Sequence, residues 1–261
     1  MKIVITNTSE ELGQAAGSKA ATLIRHTILT KGSANIILAT GTSQFETINQ
    51  LTKEEGIDWS KVTMFHLDEY IGMKTTHPAS FRKYLQERFL DKVSPLKNGF
   101  LINAESDAKS EAQRLGEHIN EHPIDVALVG IGENGHLAFN DPPADFDTEE
   151  PYLIVNLDEP CRRQQMGEGW FATLEEVPTQ AISMSIKQIM KSANIICSVP
   201  DQRKAQAVKD SLEQPVSNLF PASILQQHSD CVFYLDKSSA NLLSTAHTSS
   251  YQPSSLDSII L

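Results

Sequence analysis

The sequence predicts an α/β protein with a mostly parallel, open sheet and helices on both faces. Short apolar runs alternate with amphipathic stretches along the chain, and no internal repeat or linker interrupts that order. One apolar run also ends at closely spaced glycines, as strands often do where they enter a loop. We expect a single domain over residues 1–246, followed by a Ser-rich tail at residues 247–261.

The first half of the chain supplies three strands and three helices. The strands are β-branched apolar runs, and each helix has apolar residues spaced three or four apart. A serine before two glutamates predicts an N-cap at the start of the first helix. In order, we predict strand Lys2–Thr6, helix Ser9–Leu29, strand Asn35–Ala39, helix Gln44–Glu54, strand Val62–Leu67 and helix Pro78–Leu90.

The second half continues the same alternation. The run from Ile124 to Val129 has the length and branching of a buried strand. In order, we predict helix Ser106–Ile119, strand Ile124–Val129, strand Ala193–Val199, helix Gln202–Leu212 and strand Cys231–Leu235.

Composition narrows the classes of partner. The chain has 22 basic and 33 acidic residues, a net charge of −11, so nucleic acid is an unfavourable partner. Its cysteines (Cys161, Cys197 and Cys231) are far apart and lack CxxC spacing, which predicts reduced thiols in a cytoplasmic protein without a disulfide or zinc site. No apolar run is long enough for a signal peptide or a membrane span.

The loop after strand Ile124–Val129 holds the strongest chemical signal. Three glycines (Gly130, Gly132 and Gly135) allow a tight turn and close approach to a ligand. An imidazole and a carboxylate follow, His136 and Asp141, at the strand end where parallel α/β sheets place their chemistry. The pattern predicts an acid–base site.

Ala39–Ser43 joins a strand to a helix and is rich in small and hydroxyl residues. Its backbone N–H groups, hydroxyls and the helix N-terminus would suit an anion. An ordinary strand-to-helix turn with a Ser or Thr cap is the alternative. The segment has neither the Gly-Lys-Ser/Thr of a P-loop nor the three glycines of a dinucleotide fingerprint.

Two adjacent acids, Asp68 and Glu69, end the third strand. Neighbouring side chains in a strand point to opposite sides, so at most one of the two should face a pocket. They could instead simply cap the next loop. Because three strands end in polar residues and parallel strand ends lie together, we expect Asp68, Thr40–Ser43 and His136 to share one site.

These motifs resemble those of the glucosamine-6-phosphate deaminases. The two signatures of that family are similar to two parts of this chain. One is Leu67–Gly72 (LDEYIG) with His77–Phe81 (HPASF), and the other is Gly130–Pro142 (GIGENGHLAFNDP). Thr40–Ser43 is similar to its phosphate loop, and Val177–Met184 and Arg203–Ala205 match later segments.

The resemblance implies a Rossmann-like deaminase/isomerase fold and an activity: conversion of glucosamine 6-phosphate, or a close epimer, to fructose 6-phosphate and ammonia without a cofactor. It implies that His136 opens the sugar ring and Asp68 removes the C2 proton, with Asn134 and Asp141 as further catalytic residues. It also implies phosphate or substrate binding by Thr40, Gly41, Thr42, Ser43, Gly132 and Lys204.

The chain departs from the family pattern at two places. The family has a glutamate where this chain has Asp141, which is one methylene shorter. The family's phosphate-binding arginine aligns near Gly169–Phe171, where this chain has none. We therefore expect either that Arg162 or Arg163 contacts the substrate instead or that the substrate carries a different anionic group.

Other functions stay open at this point. A 6-phosphogluconolactonase-like hydrolase shares a similar Gly-His segment, and a non-catalytic sugar-phosphate sensor would keep the pocket. The Leu-Asp-Glu-Tyr and Ala-Phe-Asn residues favour the deaminase, and a sensor has no need of both Asp68 and His136. Family members include hexamers and monomers, so the resemblance allows a homo-oligomer.

Overall fold

The computed structural model describes residues 1–93 and 95–244. The predicted tail at 247–261 lies outside the described residues, and the single domain over 1–246 remains a prediction. The strands are β1 (Lys2–Thr6), β2 (Ala34–Leu38), β3 (Val62–His66), β4 (Asp68–Tyr70), β5 (Asn98–Phe100), β6 (Val126–Val129), β7 (Tyr152–Asn156), β8 (Gln180–Met184), β9 (Asn194–Val199) and β10 (Cys231–Asp236).

Seven of these strands form one parallel sheet in the order β1-β10-β9-β6-β2-β3-β5. The chain runs from β2 to β3 on one side of the sheet and from β6 to β9 on the other. The neighbouring strands β2 and β6 therefore send their connections in opposite directions, which opens a crevice at their carboxyl ends. All six predicted strands are present here, within two residues of their predicted ends.

Helices connect and cover the strands. They are α1 (Ser9–Lys31), α2 (Phe45–Leu51), α3 (Phe81–Leu85), α4 (Asp91–Val93), α5 (Ala108–Asn120), α6 (Glu159–Gly167), α7 (Ile186–Met190) and α8 (Ala205–Glu213). A π-helical turn at Gln86–Leu90 joins α3 to α4, and 3₁₀ turns at Thr42–Gln44 and Gln202–Lys204 precede α2 and α8.

The first helix begins at Ser9 as predicted but has a different cap, and the helix predicted from Pro78 begins later. The first helix is capped by Thr8 rather than Ser9, because Thr8 is extended and its side chain accepts the Glu11 N–H at 3.2 Å. The helix predicted from Pro78 begins at Phe81, because the Ser80 side chain accepts the Lys83 N–H and caps it there.

A second, smaller sheet was not expected from the sequence. Strands β4, β8 and β7 pair antiparallel in that order. Strand β3 of the parallel sheet ends at His66, and β4 of the small sheet begins at Asp68. One continuous segment therefore contributes a strand to each sheet. β4 has three residues, two of them acidic, and is too short and polar to be recognised as a strand by alternation.

Three apolar clusters form the core. Two pack on the two faces of the parallel sheet, as a sheet with helices on both sides requires. A separate third core joins the small sheet to α6 and includes Tyr70, Phe81, Phe139, Cys161 and Phe171.

The described part of the chain has no helix long and apolar enough to cross a membrane. The three cysteines are free and buried.

Candidate active site

An open cleft of about 500 Å³ lies at the carboxyl ends of β2, β6 and β9. Two walls form it. The parallel sheet and its loops contribute Thr40–Ser43, Gly132, His136 and Lys204, which we call the His136 wall. The small sheet and α6 contribute Asp68, Gln164, Gln165 and Glu168, which we call the Asp68 wall.

Asp68 presents a poorly solvated carboxyl group to the cleft. The residue is only 7% exposed, and no described residue donates a hydrogen bond to its side chain. Burial, with a smaller contribution from the charge of Glu69, raises the pKa of Asp68 to about 8. A carboxylate with a pKa in this range is suited to removing a proton from carbon.

Glu69, the next residue, is buried on the opposite side of β4 and does not line the cleft. It accepts hydrogen bonds from the Ser80 hydroxyl and the backbone N–H groups of Tyr70 and Arg82, and the Arg82 guanidinium lies 3.8 Å away. Burial raises the pKa of Glu69 to about 7, against the opposing effect of these donors. The two neighbours thus have separate roles: Glu69 ties β4 to α3, and Asp68 faces the cleft.

His136 is held from behind by its own loop. Its backbone N–H donates to Oδ1 of Asn134 at 3.1 Å, and its carbonyl accepts the Gly132 N–H at 2.9 Å. Nδ1 lies 3.0 Å from Oδ1 of Asp141, although this contact is too bent to count as a hydrogen bond. The arrangement turns Nδ1 towards Asp141 and leaves Nε2 for a ligand in the cleft.

Asn134 and Asp141 do not line the cleft but lie behind the histidine, a position that suits orienting its ring. Asp141 accepts hydrogen bonds from Nδ2 of Asn134 and from the backbone N–H of Asp158, each at 3.0 Å. Burial opposes ionisation of Asp141, but His136 and these two donors outweigh it and hold its pKa below the usual value. The two residues orient His136 and are positioning residues.

The glycines of this loop allow the predicted tight turn and also close approaches within the protein. Only Gly135 has a positive φ, of 82°. A Cβ on Gly132 would lie 2.3–2.5 Å from the ring atoms of His136, and one on Gly130 would lie 2.8 Å from Oγ of Ser43. Gly130 and Gly132 are therefore needed so that the parts of the site can approach each other.

The predicted phosphate-binding segments meet at the other end of the His136 wall. The Thr40 hydroxyl is buried without a partner, and Gly41 adopts a φ of 88° ahead of the 3₁₀ turn that begins at Thr42. Lys204 is 4% exposed, and Nζ lies 3.8 Å from Oε1 of Glu168. Burial lowers the pKa of Lys204, while the charge of Glu168 opposes that effect.

Arg162 and Arg163 do not line the cleft in this structure, so a substrate contact by either of them stays a prediction that the geometry does not favour. The Arg162 guanidinium donates to the carbonyls of Leu174 and Val177 and so fixes the loop after α6. Arg163 is exposed and pairs with Glu159 on the outer face of the same helix.

Sequence reasoning missed the inner face of α6 altogether. Gln164 accepts the backbone N–H of Glu133 at 2.7 Å, and Gln165 accepts the Tyr70 hydroxyl at 2.7 Å. Gln164 and Glu168 are four residues apart, the spacing that places two side chains on one helix face. That spacing was the available signal.

One group beside the site has metal-ligand chemistry. His136, Asp141 and Cys161 place potential ligand atoms within 4.8 Å of one another, the sole group of this kind found among residues 1–93 and 95–244. The hydrogen bonds to Asp141 from Asn134 and Asp158 already account for both of its oxygens. We therefore interpret the group as support for the histidine ring.

Known proteins match the chain over most of its length. A glucosamine-6-phosphate deaminase of Listeria monocytogenes serotype 4a (strain HCC23) is 39% identical over 87% of this chain and 96% of the relative. One of Streptococcus pneumoniae (strain 70585) is 36% identical over 88% and 96%.

Solved structures agree. One described as a monomeric glucosamine-6-phosphate deaminase of the NagB superfamily superposes with a TM-score of 0.84 and 32% identity, covering 93% of this chain and all of that one. A putative 6-phosphogluconolactonase from Neisseria gonorrhoeae FA 1090 shares the fold, with a TM-score of 0.73 and 18% identity over 90% and 99% of the two chains. The family model described as glucosamine-6-phosphate isomerases/6-phosphogluconolactonase matches residues 7–234. With its fold, its paired walls and these matches, the chain belongs to the glucosamine-6-phosphate isomerase/6-phosphogluconolactonase family.

Proposed function

We propose that this protein is an amino-sugar-phosphate deaminase that converts glucosamine 6-phosphate, or a close epimer, to fructose 6-phosphate and ammonia. One observation carries the proposal: a carboxyl group with a raised pKa and a supported imidazole line the same cleft. The phosphate-loop residues and Lys204 line that cleft as well.

The first step is opening of the sugar ring. Nε2 of His136 transfers the proton of the anomeric hydroxyl to the ring oxygen, the C1–O5 bond breaks, and C1 becomes an aldehyde. Asp141 helps because its negative charge stabilises the imidazolium that forms when Nε2 takes up the proton. Asn134 holds Asp141 in place through the 3.0 Å hydrogen bond.

The second step is proton transfer between neighbouring carbons. The carboxylate of Asp68 removes the C2 proton, which the new C1 aldehyde makes acidic, while the C2 ammonium gives one proton to the aldehyde oxygen, and a neutral enolamine forms. Asp68 then returns the proton to C1, giving an imine at C2. Water adds to this imine and ammonia leaves, so that one water enters and one ammonia departs in each turnover. The steps involve no net oxidation.

Substrate binding would itself prepare Asp68 as a base. In the free enzyme the pKa of Asp68 is about 8, so the carboxyl group is largely protonated at neutral pH. The ammonium group on C2 of the substrate brings a positive charge close to it. A nearby opposite charge favours the ionised carboxylate, and the proton is released when the substrate binds.

The phosphate group would lie against the segment Thr40–Ser43 and Lys204. The unpaired Thr40 hydroxyl is a buried donor that an acceptor would satisfy, and Lys204 supplies the charge. This end of the cleft lies on the same wall as His136, which orients the sugar with its carbon chain extending towards Asp68.

The test is an assay for ammonia and for ketose phosphate with glucosamine, galactosamine and N-acetylglucosamine 6-phosphates as substrates. We expect equal amounts of both products from one free-amino epimer and neither from the N-acetylated sugar. Hydrolysis of 6-phosphogluconolactone without ammonia release would support the lactonase instead. Binding of these sugar phosphates without turnover of any would support a sensor.

We further propose that the enzyme works in the cytoplasm, as its reduced, buried cysteines favour, and that residues 1–246 fold as one domain. Light scattering would determine whether the protein forms a homo-oligomer.

A further inference from the structure

The phosphate end of the cleft contains a carboxylate that the proposed reaction does not use. Oε1 of Glu168 lies 3.8 Å from Nζ of Lys204, and both side chains are only 5% exposed. Glu168 also accepts hydrogen bonds from Nε2 of Gln164 at 2.8 Å and from Nε1 of Trp170 at 3.3 Å. Gln164 and Trp170 therefore hold the carboxylate beside the lysine.

This carboxylate conflicts with binding of a phosphate. Lys204 is the one lysine or arginine among the described residues that line the cleft, whereas Asp68 and Glu168 are both acidic. A phosphate group that reached Lys204 would lie within a few ångströms of Glu168, and in a poorly solvated site such a like-charge contact is strongly unfavourable. Lys204 cannot keep its present partner at full strength and also bind the substrate's phosphate.

We propose that Glu168 is an exchangeable partner of Lys204, which it pairs with in the free enzyme and gives up to the phosphate group when the substrate binds. Glu168 thereby sets the affinity and the charge preference of the site. The inference rests on the proposed function, since it takes the phosphate-bearing sugar as the ligand.

The surroundings of Glu168 provide for such an exchange. The residue caps the C-terminus of α6, and Gly169 follows it with a φ of 84° and open space around its Cα. A second cation is also near. The Arg203 guanidinium is 43% exposed, and its pKa is raised by Asp201 and, less strongly, by Glu133 and Glu168. A carboxylate released from Lys204 could turn towards Arg203 without losing an ionic partner.

The test is the Glu168→Gln variant, which removes the charge and keeps the shape. Calorimetry with inorganic phosphate and with fructose 6-phosphate should show affinities at least about tenfold higher than those of the wild type, because the competing charge is gone. KM for the amino-sugar phosphate should fall, and kcat should change less than KM. Glu168→Ala, which removes the carboxylate altogether, should shift phosphate affinity in the same direction.

Glu133→Gln is the matched control, since Glu133 lies 3.7 Å from Arg203 and does not line the cleft. It should change phosphate affinity by less than about twofold, as expected for a partly exposed charge. Unchanged phosphate affinity in Glu168→Gln would overturn the proposal, and weaker affinity would overturn it too by showing that Glu168 positions Lys204 instead. Because inorganic phosphate binding is measured without turnover, the result stands apart from whether ammonia is released.

Discussion

The two walls of the cleft hold their reactive groups in opposite ways. The backbone of His136 is fixed by its own loop, through Asn134 and Gly132, and Asp141 lies 3.0 Å from Nδ1, so the ring is positioned before a substrate arrives. Asp68 has no hydrogen bond from a described residue to its side chain, and its carboxyl group is controlled by burial. The difference indicates that the His136 wall supplies geometry and the Asp68 wall supplies basicity.

The largest expected effect comes from Asp68→Asn. The amide cannot accept a proton from C2, so turnover should fall by about a thousandfold or more. Fructose 6-phosphate should still bind, because Asp68 lies away from the phosphate end. The measurement is kcat together with calorimetric affinity. If the variant keeps wild-type turnover, Asp68 is not the base and the contrast between the walls fails.

The next largest loss of turnover is expected for Gly132→Ala, which disturbs the His136 wall. Its Cβ would lie 2.3–2.5 Å from the His136 ring, which must then move, and a displacement of about 1 Å can cost on the order of a hundredfold in rate. Gly167→Ala is the control, since nothing lies within 4 Å of the position its methyl group would take and its backbone is helical. It should keep full activity. Equal losses in both variants would contradict the geometric role of the His136 wall.

The dependence of kcat/KM on pH should report the basicity of Asp68. The free enzyme needs the ionised carboxylate, so kcat/KM should rise about tenfold per pH unit up to the pKa near 8 and then level off. A profile that is flat between pH 6 and 8 would remove the raised pKa from the mechanism.

The same pKa predicts a stability effect of known sign. The folded-state pKa of Asp68 is raised, so its contribution to stability is fully present below the unfolded value of about 3.8 and is lost as pH rises through about 8. Asp68→Asn has no carboxyl group to ionise at this position. Its melting temperature should therefore be a few degrees above that of the wild type at pH 8. Glu69→Gln should melt lower, because the weaker contact with Arg82 and the loss of a carboxylate oxygen that accepts from Tyr70, Ser80 or Arg82 outweigh the gain from removing its own raised pKa. Thermal melts of both variants at pH 5 and pH 8 provide the comparison.

The smallest effect is expected at the two arginines of α6. Arg163→Ala should leave KM and stability nearly unchanged, because the side chain is an exposed ion pair with Glu159. Arg162→Ala should lower stability by about 1–3 kcal/mol, since it strips donors from the carbonyls of Leu174 and Val177. Urea titration and steady-state kinetics measure both. A large rise in KM for Arg163→Ala would show that Arg163 contacts the substrate.

Much of the His136 wall could be predicted from the sequence. Its residues follow strands with strong apolar patterns, and Thr40–Ser43, His136 and Lys204 all come soon after such strands. Parallel strand ends meet at one edge of a sheet, so sequence position alone implied spatial proximity. The motif around His136 did not reveal that Asn134 and Asp141 stand behind the ring, because their distances depend on how the loop folds.

Most of the Asp68 wall could not be predicted from the sequence. Asp68 was found through its motif, but the antiparallel sheet that carries it consists of strands three to five residues long. The inner face of α6 carries glutamines that belong to no recognisable motif, whereas the charges of Arg162 and Arg163 favoured the wrong face. A contact with a later loop, which no sequence pattern reveals, places Arg162 outside the cleft: its guanidinium donates hydrogen bonds to the carbonyls of Val177 and Leu174.

The third core has a consequence for how new specificities could arise. Its side chains, among them Tyr70, Phe139 and Phe171, pack beneath Asp68 and α6 and form a cluster apart from the two that stabilise the parallel sheet. Exchanging Tyr70 or Phe171 for a smaller side chain would shift the base and Glu168 relative to the imidazole, whereas Phe139 also contacts the His136 ring. Evolution, or an engineer, could thus adjust which sugar epimer fits by altering a single aromatic, while most of the molecule's folding energy stayed untouched.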